Sequence, residues 1–229
     1  MSLKGKTRIA ICTPTAGYVR IEWAESLSRL QLELHKDKRL DVQDSKLFYI
    51  AGSVIPYNRQ WCVDEAIKWG ASHVLFIDDD MSFTPNVVKR LLRSRDLPIV
   101  AANATKRVYP IKFMSLDFEG KEVATTAETV GLQEVMMTGN AMILIRTEVF
   151  KNLDKPWFAF PYYPKQDMWE TEDYYFNRKA TEKGYPIVID HDASKELIHI
   201  GAHHFIYDDR FHKLSERNMS KVEDDSILN

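Results

Sequence analysis

The first apolar run of the chain is residues 7–12 (TRIAIC). It is rich in β-branched residues and breaks at Thr13, Pro14, Thr15, Ala16 and Gly17, the pattern of a buried strand followed by a loop. Over residues 21–35 apolar side chains recur at Trp23, Leu27, Leu30 and Leu34, close to the helical period. Residues 46–51 (KLFYIA) read as a second strand, and a helix is expected from about residue 58 to 69. A third strand, HVLFI at 73–77, runs straight into Asp78, Asp79 and Asp80. Thr84 and Pro85 then supply an N-cap and a first helical residue for a helix reaching about residue 95, followed by a short apolar run at 97–102. This alternation predicts an α/β fold with a mixed, mostly parallel central sheet flanked by helices. The second half is less regular. Residues 135–146 suggest a strand around a break at Thr138, Gly139 and Asn140, residues 172–183 a helix ended by Gly184, and residues 186–190 a last strand region.

Composition narrows the class. With 229 residues and 45% hydrophobic content, the chain suits one compact domain over residues 1–229, with a polar, mobile tail expected from about residue 208. The abrupt ending would also suit a domain of a longer protein. The formal charge of −2 gives no reason to expect nucleic acid or an anionic membrane as partner. Cys12 and Cys62 form neither a disulfide framework nor a zinc-ligand spacing, which fits a reducing, cytoplasmic setting. No secretory leader and no apolar stretch of about 18–20 residues is visible, so no membrane span is expected. The oligomeric state is not legible.

Three clusters carry candidate chemistry. In an extended segment residues two apart point to one side, so Asp78 and Asp80 can share a ligand at a strand end, where open α/β sheets bind ligands. Their oxygens suit Mn2+ or Mg2+, which bridge diphosphate oxygens. A solvated acidic turn is the plain alternative, although Thr84 and Pro85 already start the next helix. Glu170, Glu172 and Asp173 precede a helix, where acidic residues also favour the positive end of the dipole. A carboxylate there is equally what an acceptor hydroxyl needs as general base. His199 lies in an apolar, strand-like run followed by His203 and His204. A core histidine and a metal ligand are both open readings of it. The segment 156–169 (PWFAFPYYPKQDMW) is an aromatic loop able to offer Trp157, Tyr162, Tyr163 and Trp169 to a sugar acceptor, or to pack on its own domain.

Taken in order, ICTPT, YNRQWCVDEAIKWGASHVLFIDDDM, TGNAMILIRTEVF, ETEDYYFNRKATEKGYPIVID and LIHIG resemble the family-2-like glycosyltransferases of the GT-A fold, over about residues 8–204. The chain is also similar in size to the small glycosyltransferase domains of phages and large algal viruses. The resemblance implies a nucleotide site at Thr13, Pro14, Thr15 and Arg59. It maps the aspartate-any-aspartate motif onto Asp78, Asp79 and Asp80, with Asp80 the foremost metal ligand, Asp78 near the ribose or metal, and His199 completing the metal site. It further implies the pair Glu172 and Asp173 near the acceptor, with Asp173 as base. The third aspartate inside the motif leaves open which two carboxylates reach the ion.

The expected activity is therefore metal-dependent transfer of a sugar from a nucleotide diphosphate donor, UDP-linked by preference, to a hydroxyl of a glycan or glycoprotein acceptor, with inversion. A retaining transferase of the same fold and a non-catalytic nucleotide-sugar or glycan-binding domain are the alternatives. A haloacid-dehalogenase phosphatase would need its nucleophilic aspartate where ICTPT stands. A nucleotidyltransferase would need a Gly-rich basic loop after the first strand, and TPTAGYV offers one glycine and no nearby lysine. A glycoside hydrolase would leave the triplet and His199 without a role.

Overall fold

The computed structural model describes residues 7–201 and 204–206. The tail expected from about residue 208, and His203, lie outside the described residues. The order of elements is β1 (Thr7–Thr15), α1 (Ile21–Lys36), β2 (Val42–Ala51), α2 (Ile55–Trp69), β3 (His73–Ile77), β4 (Met81–Phe83), α3 (Pro85–Arg93) and β5 (Ile99–Ala101). After a long irregular segment come β6 (Leu132–Val135), β7 (Met142–Arg146), α4 (Thr147–Asn152), β8 (Tyr162–Tyr163) and β9 (Met168–Trp169). The chain continues through α5 (Glu172–Glu182), β10 (Ile187–Asp190), α6 (His191–Ser194), β11 (Leu197–Ile200) and β12 (His204–Ile206).

The central sheet has the strand order β2-β1-β3-β7-β5-β10-β6. β2, β1 and β3 pair in parallel, as do β5 and β10, while β7 and β6 run against their neighbours. The sheet is thus mixed, with most strands pointing one way, as the alternating pattern predicts.

Alternation along the strands divides the core between two faces. Ala10 and Cys12 of β1, with Val74 and Phe76 of β3, meet Cys62, Val63 and Ala66 of α2 and Phe176 and Ala180 of α5. Ile9, Ile11, Leu75 and Ile77 point the other way, onto Trp23, Leu27, Leu30 and Leu34 of α1 and Val87, Val88, Leu91 and Leu92 of α3. Both faces are covered, so β3 is buried at all five positions and reads as one continuous apolar run. Its next residue is polar because the strand there leaves the helical cover at the carboxyl edge of the sheet.

Several local expectations shift. Within residues 135–146 the strand is β7, which starts after the break at Thr138, Gly139 and Asn140, while Val135 ends a separate strand, β6, that pairs with β10. Thr84 occupies the N-cap of α3, but its hydroxyl donates to Glu196 and caps nothing. Trp157, read as a possible acceptor contact, is core: it is 4% exposed, stacks edge-on to Phe150 at 5.4 Å, and donates Nε1–H to the Leu153 carbonyl at 2.9 Å. Its indole is satisfied internally and presents no face to a ligand.

A second sheet, β12-β11-β4, is antiparallel. Its register sets His199 opposite Met81, and Ile200 N–H donates to the Asp80 carbonyl at 2.8 Å. This pairing brings the late histidine to the acidic triplet.

Candidate active site

A cavity of about 440 Å³ opens at the carboxyl edge of β1, β2 and β3. Its wall includes Pro14 and Thr15 at the end of β1, Tyr18 and Arg20 after it, Gly52 and Ser53 after β2, and Ile55 and Arg59 on α2. The wall also includes Asp78, Asp79 and Asp80, then Arg107, Asn140, Glu172, Asp173 and His199. The loop after β2 can pass close to α2 because Gly52 has no side chain: a Cβ there would lie 2.9 Å from Asn58 Oδ1. Asn58 in turn donates Nδ2–H to the Gly52 carbonyl at 2.8 Å.

Residues 78–81 turn, with Met81 N–H donating to the Asp78 carbonyl at 3.2 Å. An extended segment would have aimed Asp78 and Asp80 at one point, and the turn sends them to different partners. Asp78 faces Arg59, whose Nη2 lies 2.9 Å from Oδ1 and 3.1 Å from Oδ2, only the second contact having hydrogen-bond geometry. Arg59 Nε also donates to Glu172 Oε1 at 3.2 Å. The guanidinium is 3% exposed and packs over the Phe76 ring. Arg59 therefore ties α2, the end of β3 and the start of α5 together. Burial, helped by the charges of Asp80 and Glu172, pushes the Asp78 carboxyl up to about 6 despite Arg59.

Asp80 meets His199 instead. His199 Nε2 lies 3.2 Å from Asp80 Oδ2, and Nδ1 lies 2.6 Å from the Thr105 carbonyl. A carbonyl only accepts, so Nδ1 carries a proton and the neutral imidazole would have its lone pair on Nε2, facing the carboxylate. Two facing lone pairs are tolerable only with a proton or a cation between them. Burial opposes charge on both groups, but their mutual hydrogen bond and attraction win. The His199 pKa is raised and the Asp80 pKa lowered, Arg107 adding to the latter. Arg107 Nη1 approaches the same Asp80 oxygen at 3.0 Å.

A carboxylate oxygen and an imidazole nitrogen held together in this way are a mixed donor pair that would suit Mn2+ better than Mg2+, which prefers an all-oxygen set. Among the described residues no group of three or more His, Cys, Asp or Glu side chains converges on one point. The expected third ligand, Asp78, is turned to Arg59.

Asp173 and Glu172 begin α5 and are 7% and 9% exposed. Asp173 Oδ1 accepts from the Thr171 hydroxyl and from Tyr174 N–H at 2.9 Å. Burial first, and the neighbouring Glu172 charge second, raise its pKa. A buried chain of hydrogen bonds fixes this helix against the loop before β7. Asn177 exchanges bonds with the Thr138 backbone at 3.1 and 3.2 Å, Thr138 Oγ1 meets Ser115 Oγ at 2.8 Å, and Ser115 Oγ–H donates to Asn103 Oδ1 at 2.8 Å.

Of the other expected residues, Pro14, Thr15 and Asp79 line the cavity, whereas Thr13 is buried beneath it with its hydroxyl unpartnered. Tyr162, Tyr163 and Trp169 lie outside the cavity on the β8–β9 hairpin, which leads directly into Thr171 and α5. Trp169 is 66% exposed, with its ring 5.2 Å from Tyr162. Tyr163 donates its hydroxyl to Glu170, which also pairs with Arg178.

Arg107 and Asn140 are wall residues that sequence reasoning missed. Asn140 is 1% exposed and both ends of its amide are unpartnered. The available signal was a Gly-Asn pair breaking an otherwise apolar run just before β7. Arg107 sits in an aperiodic segment and gave none.

No family model and no curated protein matches the chain. Among solved structures, A197 from STIV is similar over 89% of this chain and 95% of its own, with a TM-score of 0.57 at 13% identity. The chain has the GT-A fold. TarS of S. aureus (residues 1-349) is a weaker likeness, with a TM-score of 0.44 at 13% identity, covering 80% of this chain and 57% of that one. A complex of the same TarS fragment with UDP-GlcNAc gives 0.43 at 15% identity, over 80% and 55%. Within this GT-A fold the cavity lies where the three leading parallel strands end, at the edge that open α/β sheets use for ligands. No described helix is long and apolar enough to cross a membrane.

Proposed function

We propose that this chain is a metal-dependent glycosyltransferase moving a sugar from a nucleotide diphosphate donor, UDP-linked by preference, to a hydroxyl of a glycan or glycoprotein, with inversion. One observation carries the reading: a single cavity gathers the Asp80–His199 donor pair, the buried carboxylate of Asp173 and the loops after β1 and β2. The charge of its wall supports a metal. Five carboxylates and three guanidiniums line it, a formal −2, and a diphosphate adds negative charge. A divalent ion on Asp80 and His199 would offset that charge and stabilise the leaving nucleoside diphosphate.

In this reading Pro14, Thr15 and Tyr18 form the floor for the nucleoside, with Asp79 beside them and Asp78 near the ribose. Arg59 acts chiefly by holding Asp78 and Glu172 in place. Asp173 accepts the proton as the acceptor O–H bond breaks. The oxygen bonds to the anomeric carbon, whose bond to phosphate breaks on the opposite face. A raised carboxylate pKa makes Asp173 a better base, and such help typically contributes about 10²- to 10⁴-fold. The exposed Tyr162 and Trp169 rings offer an acceptor sugar an apolar face on the hairpin that leads into α5. Two unpaired cysteines suit a reducing compartment such as a cytoplasm.

The test separates two roles. Asp80→Ala should lose Mn2+-dependent nucleotide binding, whereas Asp173→Asn should keep it and lose turnover. Normal Mn2+ and nucleotide binding by the first variant would remove the metal assignment, and unchanged transfer by the second would remove the base.

A further inference from the structure

Two nitrogen groups, an imidazole and a guanidinium, converge on one oxygen of the site. Asp80 Oδ2 receives His199 Nε2 at 3.2 Å and Arg107 Nη1 at 3.0 Å. Arg59, the guanidinium paired with Asp78 of the triplet, is 3% exposed and held by both Asp78 and Glu172. The Arg107 side chain is 51% exposed and is rooted two residues beyond Thr105, whose carbonyl orients His199. Of the two guanidiniums that pair with carboxylates of the triplet, it is therefore the one that can change partners without uncovering a buried charge.

We propose that Arg107 is an exchangeable counter-ion: it competes with a divalent cation for Asp80, and on donor binding transfers its guanidinium from Asp80 to the diphosphate. The inference rests on the metal-dependent reading above and extends it to a residue which that reading leaves without a role. A guanidinium and a dication on one carboxylate oxygen repel each other, so occupation by one weakens the other. A diphosphate brings oxygens that a guanidinium can grip with two parallel hydrogen bonds, a geometry that a lysine ammonium does not match. Arg107 thus opposes the metal when no nucleotide is present and favours the metal–nucleotide pair when it is, which couples the two ligands.

The coupling predicts changes of opposite sign. Mn2+ binding alone is read by the loss of the free Mn2+ electron paramagnetic resonance signal. UDP binding at saturating Mn2+ is read by calorimetry. Arg107→Gln should bind Mn2+ alone about two- to fivefold more tightly, the factor expected from losing a half-exposed ion pair. It should bind UDP about tenfold or more weakly, as expected when a charge-assisted hydrogen bond is lost. Arg107→Lys should lie between wild type and Arg107→Gln in both titrations. Arg20→Gln, which alters an exposed cavity arginine off the Asp80 oxygen, should leave the affinity for Mn2+ alone within about twofold. A merely structural role for Arg107 would lower both affinities together, and that result overturns the proposal. Equal Mn2+ and UDP binding by wild type and Arg107→Gln overturns it too while leaving the transferase reading intact. If wild type binds Mn2+ neither alone nor with UDP, both fall.

Discussion

Arg59→Met removes the cation that neutralises two carboxylates at the base of the cavity. Arg59 is 3% exposed, and its partners Asp78 and Glu172 retain side-chain exposures of 24% and 12%. Methionine keeps the apolar stem over Phe76, so the loss is electrostatic rather than steric. Breaking a buried ion pair by removing one partner costs about 3–5 kcal/mol, because the remaining charge is left without compensation. For a chain of this size each kcal/mol lowers the melting temperature by about 2–4 °C, giving a fall of roughly 6–20 °C at neutral pH. Thermal unfolding by circular dichroism measures it directly. Adding Asp78→Asn and Glu172→Gln to Arg59→Met should restore much of the loss, since the orphaned charges are then gone. A fall below about 3 °C, or no recovery in the triple variant, would refute the view that this arginine holds α2, β3 and α5 together by charge.

Further expectations follow from the same geometry. His73 and His191 are buried, and burial lowers both pKa values below the ordinary 6.5. The unfolded chain then binds more protons just below pH 6.5, so stability is full above that pH and lost as pH falls through it; His73→Gln with His191→Gln should flatten the loss in urea titrations between about pH 6.5 and 5. Asn140→Leu removes two unpartnered buried amide atoms, so the melting temperature should hold or rise while turnover of the donor falls; a marked loss of stability would mean the amide has a partner. Trp169→Ala should leave the melting temperature within about 2 °C, given its exposure, and raise the acceptor KM; unchanged acceptor kinetics would exclude the hairpin from the acceptor site. Gly52→Ala should displace Asn58 and weaken nucleotide binding, and an unaltered affinity would show that the loop after β2 absorbs the added carbon.

The fold is largely written in periodicity. Runs such as HVLFI and MILIR sit in a sheet covered on both faces, so their continuous apolarity reports burial directly. The helical spacing of Trp23, Leu27, Leu30 and Leu34 likewise marks the face that meets the sheet. The site was legible as residue types and less so as geometry. Asp80 and His199 are 119 positions apart and meet through the register of β11 on β4, which no local pattern encodes. Spacing alone set Asp78 beside Asp80 on an extended segment; the turn at 78–81 separates them and hands Asp78 to Arg59. Trp157 and Trp169 share one aromatic segment, yet one lies in the core and the other on the surface, because the hairpin turns the chain between them. Arg107 was invisible for another reason: its importance lies in the carboxylate its charge faces across the cavity, not in any pattern of neighbours.

The central claim is that Asp80 and His199 hold a divalent ion needed for chemistry on a nucleotide diphosphate sugar. Release of nucleoside diphosphate from a panel of such donors, with Mn2+ and with a chelator, tests it most directly. The account predicts slow release from at least one donor in Mn2+, none in chelator, and none from Asp80→Ala under either condition. Equal release in chelator, or full Mn2+-dependent release by Asp80→Ala, would contradict it.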